Sequence, residues 1–304
     1  MPSGGRVRWA MTGCAVPIMR GQWETTNWTC SMAGKPTRHD GPSGRYYEVE
    51  GRRLHSVTHI LSCLSKPALV NWSANMERAA VMEAAADLYE QMCKAPDGWT
   101  ASTWPRAVYL STLQSELGKV KAHTKALAAA GDIGTQIHGE IERRTRVMMG
   151  LSPQPAQFLP DPAIWAVLAW EDWAKAVDLQ PIRAEQMVFS LQHGYAGTMD
   201  LLARVEGVET LVDYKSSKSV YPESHLQTTA YRWALVEMGL VKKLVPALIV
   251  RLPKNTDDPA FEVVPSPPAE ELMPTFLAVL ETWRWWRAAE DAGRAAYQAR
   301  KAAG

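Results

Sequence analysis

The sequence predicts an α/β (α+β) chain: a central mixed sheet of about four strands flanked by helices, with further helices added on the N-terminal side. The first sign is a set of short runs after Pro181, "RAEQMVFSL", "AGTMDLLARV" and "TLVDYKS". The turns "HGY" and "EGVE" separate them, which reads as a meander. The second is "KLVPALIVRL", a nearly continuous apolar run that suits a sheet interior. The third is helical periodicity ahead of the meander, where apolar residues recur at three and four.

In chain order, "YYEV" and "RLH" read as a hairpin around Glu50-Gly51, followed by a helix with Ser56 at its N-cap. "KPALVNW" reads as a break. From Asn71 to Lys94, Met76, Ala80, Met82, Ala85, Leu88, Tyr89 and Met92 mark an amphipathic helix, which "APDGW" ends. A helical region from about Pro105 to Ala130 is expected to break at Gly131-Asp132. The next helix, capped by Asp132 or Thr135, buries Ile133, Ile137, Ile141 and Met148. After the proline-rich "LSPQPAQFLPDP", a helix carries Trp165, Leu168, Ala169 and Trp173 along one packing stripe. The meander is followed by a helix with Pro222 in its first turn and Gly239 just past its end. Pro246 must sit at the start or a bulge of the next strand. A long C-terminal helix is expected to break near Pro274.

The composition is that of a globular protein: 304 residues, 46% hydrophobic, 21% charged, net charge +1. Any nucleic-acid surface is therefore a local patch. Residues 1–45 lack apolar periodicity and are expected to form a disordered or irregular arm, with Met11, Met19 and Met32 as alternative starts. Residues 46–131 are expected to form a helical region over the site, and 132–304 the core with its C-terminal helix. Cys14, Cys30, Cys63 and Cys93 form no C-x-x-C pair, which argues against a disulfide scaffold or a zinc or iron–sulfur site. No run approaches the roughly 20 apolar residues of a membrane span. A cytoplasmic protein of a bacterium or phage-infected host is expected. Arginines outnumber acids in the first forty residues, so mitochondrial targeting stands as the alternative.

The chemistry centres on "GTMD" and "LVDYKSS". Asp200 lies on the second meander strand and Asp213 on the third, so antiparallel pairing brings them together if they share a face. Adjacent carboxylates repel unless a cation joins them, and Mg²⁺ or Mn²⁺ takes such oxygen ligands. Lys215 shares the face of Asp213, where its ammonium can hold water or offset charge on phosphorus oxygens. It is the one lysine with an acid two positions before it. A solvent-exposed Asp–Lys pair would give the same triplet. Gln227 and Tyr231, four apart on a helix, share a stripe that suits a phosphate and a base or sugar, or an ordinary half-buried pair. His138 beside Ile137 and Ile141 reads as a satisfied core histidine, or as a metal ligand if its helix packs by the carboxylates. "ERRTR" reads as a phosphate-binding edge or a solvated face, and Glu185 as pointing into the site or into solvent.

In order, His138 in "GTQIHGE", "GTMD", "DYK" and Gln227 to Tyr231 in "QTTAY" resemble the PD-(D/E)XK nuclease superfamily. The closer resemblance is to its RecB-like, phage-type exonuclease branch, which includes mitochondrial genome-maintenance exonucleases. "LHSVTHILSCLSKPALVNWSA" resembles the N-terminal segment of that branch. The likeness spans about residues 46 to 253. It implies a restriction-endonuclease-like core, with Asp200, Asp213, the Tyr214 carbonyl and His138 as metal ligands. It also implies Lys215 as the catalytic lysine and Gln227 and Tyr231 as nucleic-acid contacts. The late cysteines of iron–sulfur members are missing, so no cluster is expected. The expected activity is a Mg²⁺- or Mn²⁺-dependent exonuclease on single-stranded DNA or DNA ends, in recombination, repair or replication. A recombinase or annealing protein is a conceivable partner and a trimeric ring a conceivable assembly. The alternatives are an endonuclease of the same fold, a non-catalytic DNA-binding protein on a degraded nuclease fold, and a partner-recruiting domain built on the tryptophan-rich helices.

Overall fold

The computed structural model describes residues 36–303 except 42–43, 65, 95–104, 153, 256 and 259. The expectations for residues 1–35, for Cys14 and Cys30, and for the helix stop at "APDGW" lie outside the described residues.

The chain opens with a three-stranded meander, β1 (Thr37–Gly41), β2 (Gly44–Val49) and β3 (Arg52–Ser56). Between β2 and β3, Glu50 and Gly51 both take positive φ, 51° and 72°, the mirror-image turn that matches strand twist. β1 lies ahead of the Tyr46 start expected for order. "TRHDG" carries no apolar alternation, and only pairing with β2 makes it a strand.

Ser56 takes the N-cap position of α1 (Val57–Leu61), with its hydroxyl on the Thr58 hydroxyl at 2.7 Å. Then "KPALVNW" opens a helix instead of breaking one. Pro67 starts α2 (Pro67–Lys94), a position where its missing N–H costs nothing. The expected break at Gly131-Asp132 is also displaced. α3 (Arg106–Leu117) stops at Gly118, whose φ of 67° suits glycine, and α4 (Ala122–Met148) runs on through Gly131. A helical glycine costs about 1 kcal/mol, which a long packed helix absorbs. α4 buries Ile137, Glu140, Ile141 and Thr145, while Met148 is exposed.

α5 (Asp161–Ala176) buries Ala163, Ala166, Val167, Trp170, Trp173 and Ala174. The expected stripe is thus turned on its axis, with Trp165 and Leu168 in solvent. β4 (Gln180–Ser190), β5 (Tyr195–Val205) and β6 (Val208–Lys215) form the predicted meander, closed by a second positive-φ turn at Glu206-Gly207. α6 (Pro222–Glu237), β7 (Ala247–Arg251), β8 (Glu262–Pro265) and α7 (Ala269–Ala303) complete the chain. Pro246 sits just before β7, where its carbonyl still accepts the Leu211 amide at 2.9 Å. α7 is continuous through Pro274, contrary to the expected break.

The mixed sheet flanked by helices is as predicted, but it has eight strands instead of about four. β1 to β3 and β8 are the others: β8 pairs locally with β7, and the N-terminal strands join through the distant parallel pairing of β3 with β5, which periodicity does not report. β6 alternates as a two-sided strand should: Leu211 packs toward α1, α6 and α7, and Val212 and Tyr214 toward α4 and α5. α2 sits outside this sandwich on α4, and α3 packs on α2; α2 buries only Leu88 and Met92 among its described side chains, and α3 none. Among the described residues no helix is long and apolar enough to cross a membrane.

One topological detail creates the site. β4 pairs along nearly the whole of β5 on one edge. The other edge is shared: β3 runs parallel to Tyr195 and Ala196, and β6 runs antiparallel from Leu201 onward. The residues between, Gly197 to Asp200, are where the two neighbours part.

Candidate active site

At that parting, the ladder between β5 and β6 ends with Leu201 opposite Val212. Beyond it the Tyr214 amide donates to the Asp200 carboxylate at 2.7 Å. The side chain thereby replaces a strand carbonyl and is held at the mouth of the gap. From α4, His138 Nδ1 reaches the other Asp200 oxygen at 3.5 Å. Glu185 comes from β4, in the stretch where Ala184 pairs with Leu201 and Gln186 with Met199. Its φ is 47°, a left-handed conformation that costs a non-glycine residue about 1 kcal/mol or more. One ligand atom from each of His138, Glu185 and Asp200 lies within 4.8 Å of the others, so the trio could hold a metal ion.

The charges suit a cation. Burial and the neighbouring Asp200 push the Glu185 carboxyl up to about 8. His138 is pulled down by burial, yet the Asp200 carboxylate carries it up to about 9. Asp200 is itself raised by burial, but His138 wins and holds it below its ordinary value. Two carboxylates and an imidazole are a donor set that could take a divalent metal ion.

Asp213 and Lys215 form the adjoining group. Asp213 is 1% exposed, and its Oδ2 stands 2.6 Å from Lys215 Nζ, outside good hydrogen-bond geometry. That burial rules out the solvent-exposed ion pair. From α6, Gln227 Nε2 donates to Asp213 Oδ1 at 3.1 Å, while its Oε1 accepts from Lys215 at 3.3 Å. Gln227 thus holds both ends of the pair. Burial lifts Asp213 to about 6, against the pull of Lys215. Lys215 is lowered by burial but raised more by Asp213 and Asp200, so it stays charged.

The two carboxylates therefore serve separate partners: Asp200 joins His138 and Glu185, and Asp213 joins Lys215 and Gln227. The Tyr214 side chain turns away, packing near the His138 and Trp173 rings. Tyr231 is 3% exposed, with Gln227 Nε2 3.4 Å from its hydroxyl. It packs against Gly197, where a Cβ would come within 2.8 Å of Tyr231 Cζ and Oη and nearer still to Cε1. Gly197→Ala is accordingly expected to lower stability by roughly 1–3 kcal/mol, measured by urea unfolding. An unchanged midpoint would show that Tyr231 is free to move.

"ERRTR" does not form a free phosphate edge. Glu140 accepts from Arg143 and Arg144, Arg144 also bonds Glu171, and Arg146 donates to the Ser152 carbonyl. Sequence reasoning missed Tyr47 of β2, whose hydroxyl lies 3.0 Å from that of Thr198, beside Asp200 in "GTMD". The predicted hairpin contained it, but only the β3–β5 pairing carries it to the site.

A family model for the PD-(D/E)XK nuclease superfamily matches residues 106–301. No curated protein matches the chain significantly. Among solved structures, it is similar to the crystal structure of a "Putative exonuclease" from Eubacterium rectale. Identity is 11%, coverage is 58% of this chain and 74% of that one, and the TM-score is 0.29.

Proposed function

This chain belongs to the PD-(D/E)XK nuclease superfamily, and on that premise we propose that it is a metal-dependent exonuclease acting on single-stranded DNA or DNA ends. Membership implies a phosphodiester-hydrolysing enzyme with a nucleic-acid substrate and a divalent metal. The observation that carries the reading is the trio His138, Glu185 and Asp200 standing beside the buried Asp213–Lys215–Gln227 group. We place the chain in the RecB-like branch on the strength of the Q-x-x-x-Y helix, with work in recombination, repair or replication.

In this proposal Asp200, His138 and Glu185 hold Mg²⁺ or Mn²⁺, with Asp213 and the Tyr214 carbonyl completing the set. When bound, the metal supplies an activated water and charge to stabilise the transition state. The rest is done by side chains. Lys215 holds its ammonium at the scissile phosphate, where it orients water and offsets developing negative charge. Asp213 and Gln227 keep that ammonium charged and aimed. Tyr231, beneath Gly197, supports Gln227 and would need its packing opened to touch DNA itself. The helix α2, packed on α4 and carrying α3, would form a wall that restricts entry to a free end.

The test is cleavage of end-labelled linear single-stranded DNA and of a closed circle, with Mg²⁺, Mn²⁺ or EDTA. Metal-dependent loss of the linear substrate alone is expected. Cutting of the circle would turn the reading to an endonuclease, and binding without cutting would turn it to a non-catalytic DNA-binding protein.

A further inference from the structure

We propose that Arg38 and Arg45, on the N-terminal hairpin, grip an internal phosphodiester of the DNA strand next to the scissile one; the proposal rests on the nuclease reading above. Cross-strand pairing sets Arg38 opposite Tyr47 and Asp40 opposite Arg45, so all four side chains lie on one face of β1 and β2. That face is turned to the site, because the Tyr47 hydroxyl contacts Thr198 two residues before Asp200.

The two arginines share a single acid. Asp40 accepts from Arg38 Nε at 2.8 Å and from Arg45 Nε at 2.7 Å. One positive charge is left over on the face turned to the site. Both arginine side chains are 38% exposed. Exposed pairs of this kind add little to stability, so stability alone is a weak reason for three charges to meet here. As a binding device the arrangement makes sense. The shared carboxylate orders two guanidiniums beforehand, and guanidiniums match phosphate oxygens in bidentate geometry. A strand held at one phosphate presents its neighbour in register with Lys215.

The experiment is fluorescence anisotropy of a labelled single-stranded oligonucleotide with hydroxyl ends, in EDTA, over a salt series. For Arg38→Ala/Arg45→Ala the slope of log K against log salt is expected to become shallower by about 0.7, the value for one phosphate contact on a single strand. Arg53→Ala is the control: it pairs with Glu48 on the opposite face, over the Tyr46 ring, and its slope should match wild type. If the double variant fails to fold, Arg38→Gln and Arg45→Gln singly carry the test, each expected to make the slope shallower by up to about 0.7. An unchanged slope, or an equal loss in Arg53→Ala, overturns the proposal. A loss seen only with a terminal phosphate also overturns it, by assigning a monoester. Cleavage is scored separately: a wild type that cuts nothing, with the slope still lost, defeats the nuclease reading and leaves the grip. Cutting with an unchanged slope defeats the grip alone.

Discussion

Lys215→Ala is expected to lower kcat for DNA hydrolysis by about 10²–10³-fold, or roughly 3–4 kcal/mol of transition-state stabilisation. Mn²⁺ affinity should stay close to wild type. The ammonium lies 2.6 Å from Asp213 and within reach of Gln227, charged in spite of burial. Its removal takes away the ammonium partner of Asp213 and leaves His138, Glu185 and Asp200 in place. The fold should survive, because Asp213 already titrates at about 6 and can take a proton in place of its lost partner. Single-turnover kinetics beside Mn²⁺ calorimetry check this. A kcat within threefold of wild type would show that Lys215 is structural. Asp213→Ala should lose activity at least as far, with weakened metal binding as well.

Glu185→Gln should make the metal-free protein more stable while impairing its metal site. The Glu185 carboxyl titrates at about 8 in the fold and near 4.5 when free. The folded state therefore binds the extra proton, and wild-type stability falls as pH rises from about 4.5 to 8. Glutamine removes that loss. The two proteins should melt alike at pH 4.5 and diverge upward, reaching about 1–2 kcal/mol at pH 8 after allowance for the partial exposure of the side chain. For wild type, Mn²⁺ must displace protons from Glu185 and His138, so its affinity should rise with pH through about 8 to 9. That rise should be shallower in the variant. Melting curves at several pH values, with and without Mn²⁺, read both effects. A variant no more stable than wild type at pH 8 would mean that Glu185 is not held in a costly state.

The meander, the α6 helix and the interior strand β7 were legible because each is a local pattern. Alternation with tight turns marks β4 to β6, proline and glycine bracket α6, and an apolar run marks β7. Local rules misled where packing outweighed them. Gly131 did not stop α4, Pro274 did not break α7, and α5 turned Trp170 inward where Trp165 was expected.

The site divides in the same way. Asp213 and Lys215 share a face because strand side chains repeat every two residues, and Gln227 and Tyr231 share a stripe because helices return every three to four. Those relations lie within single elements, so they are readable from local spacing alone. Three other features depend on pairings between distant segments. Asp200 joins His138 and Glu185 because β3 and β6 part at Gly197 to Asp200. Glu185 reaches them by a left-handed backbone at one residue of β4. Arg38, Asp40, Arg45 and Tyr47 arrive because β3 docks parallel to β5. Long-range contacts of this kind leave no period in the chain, and only the folded sheet decides which edges meet.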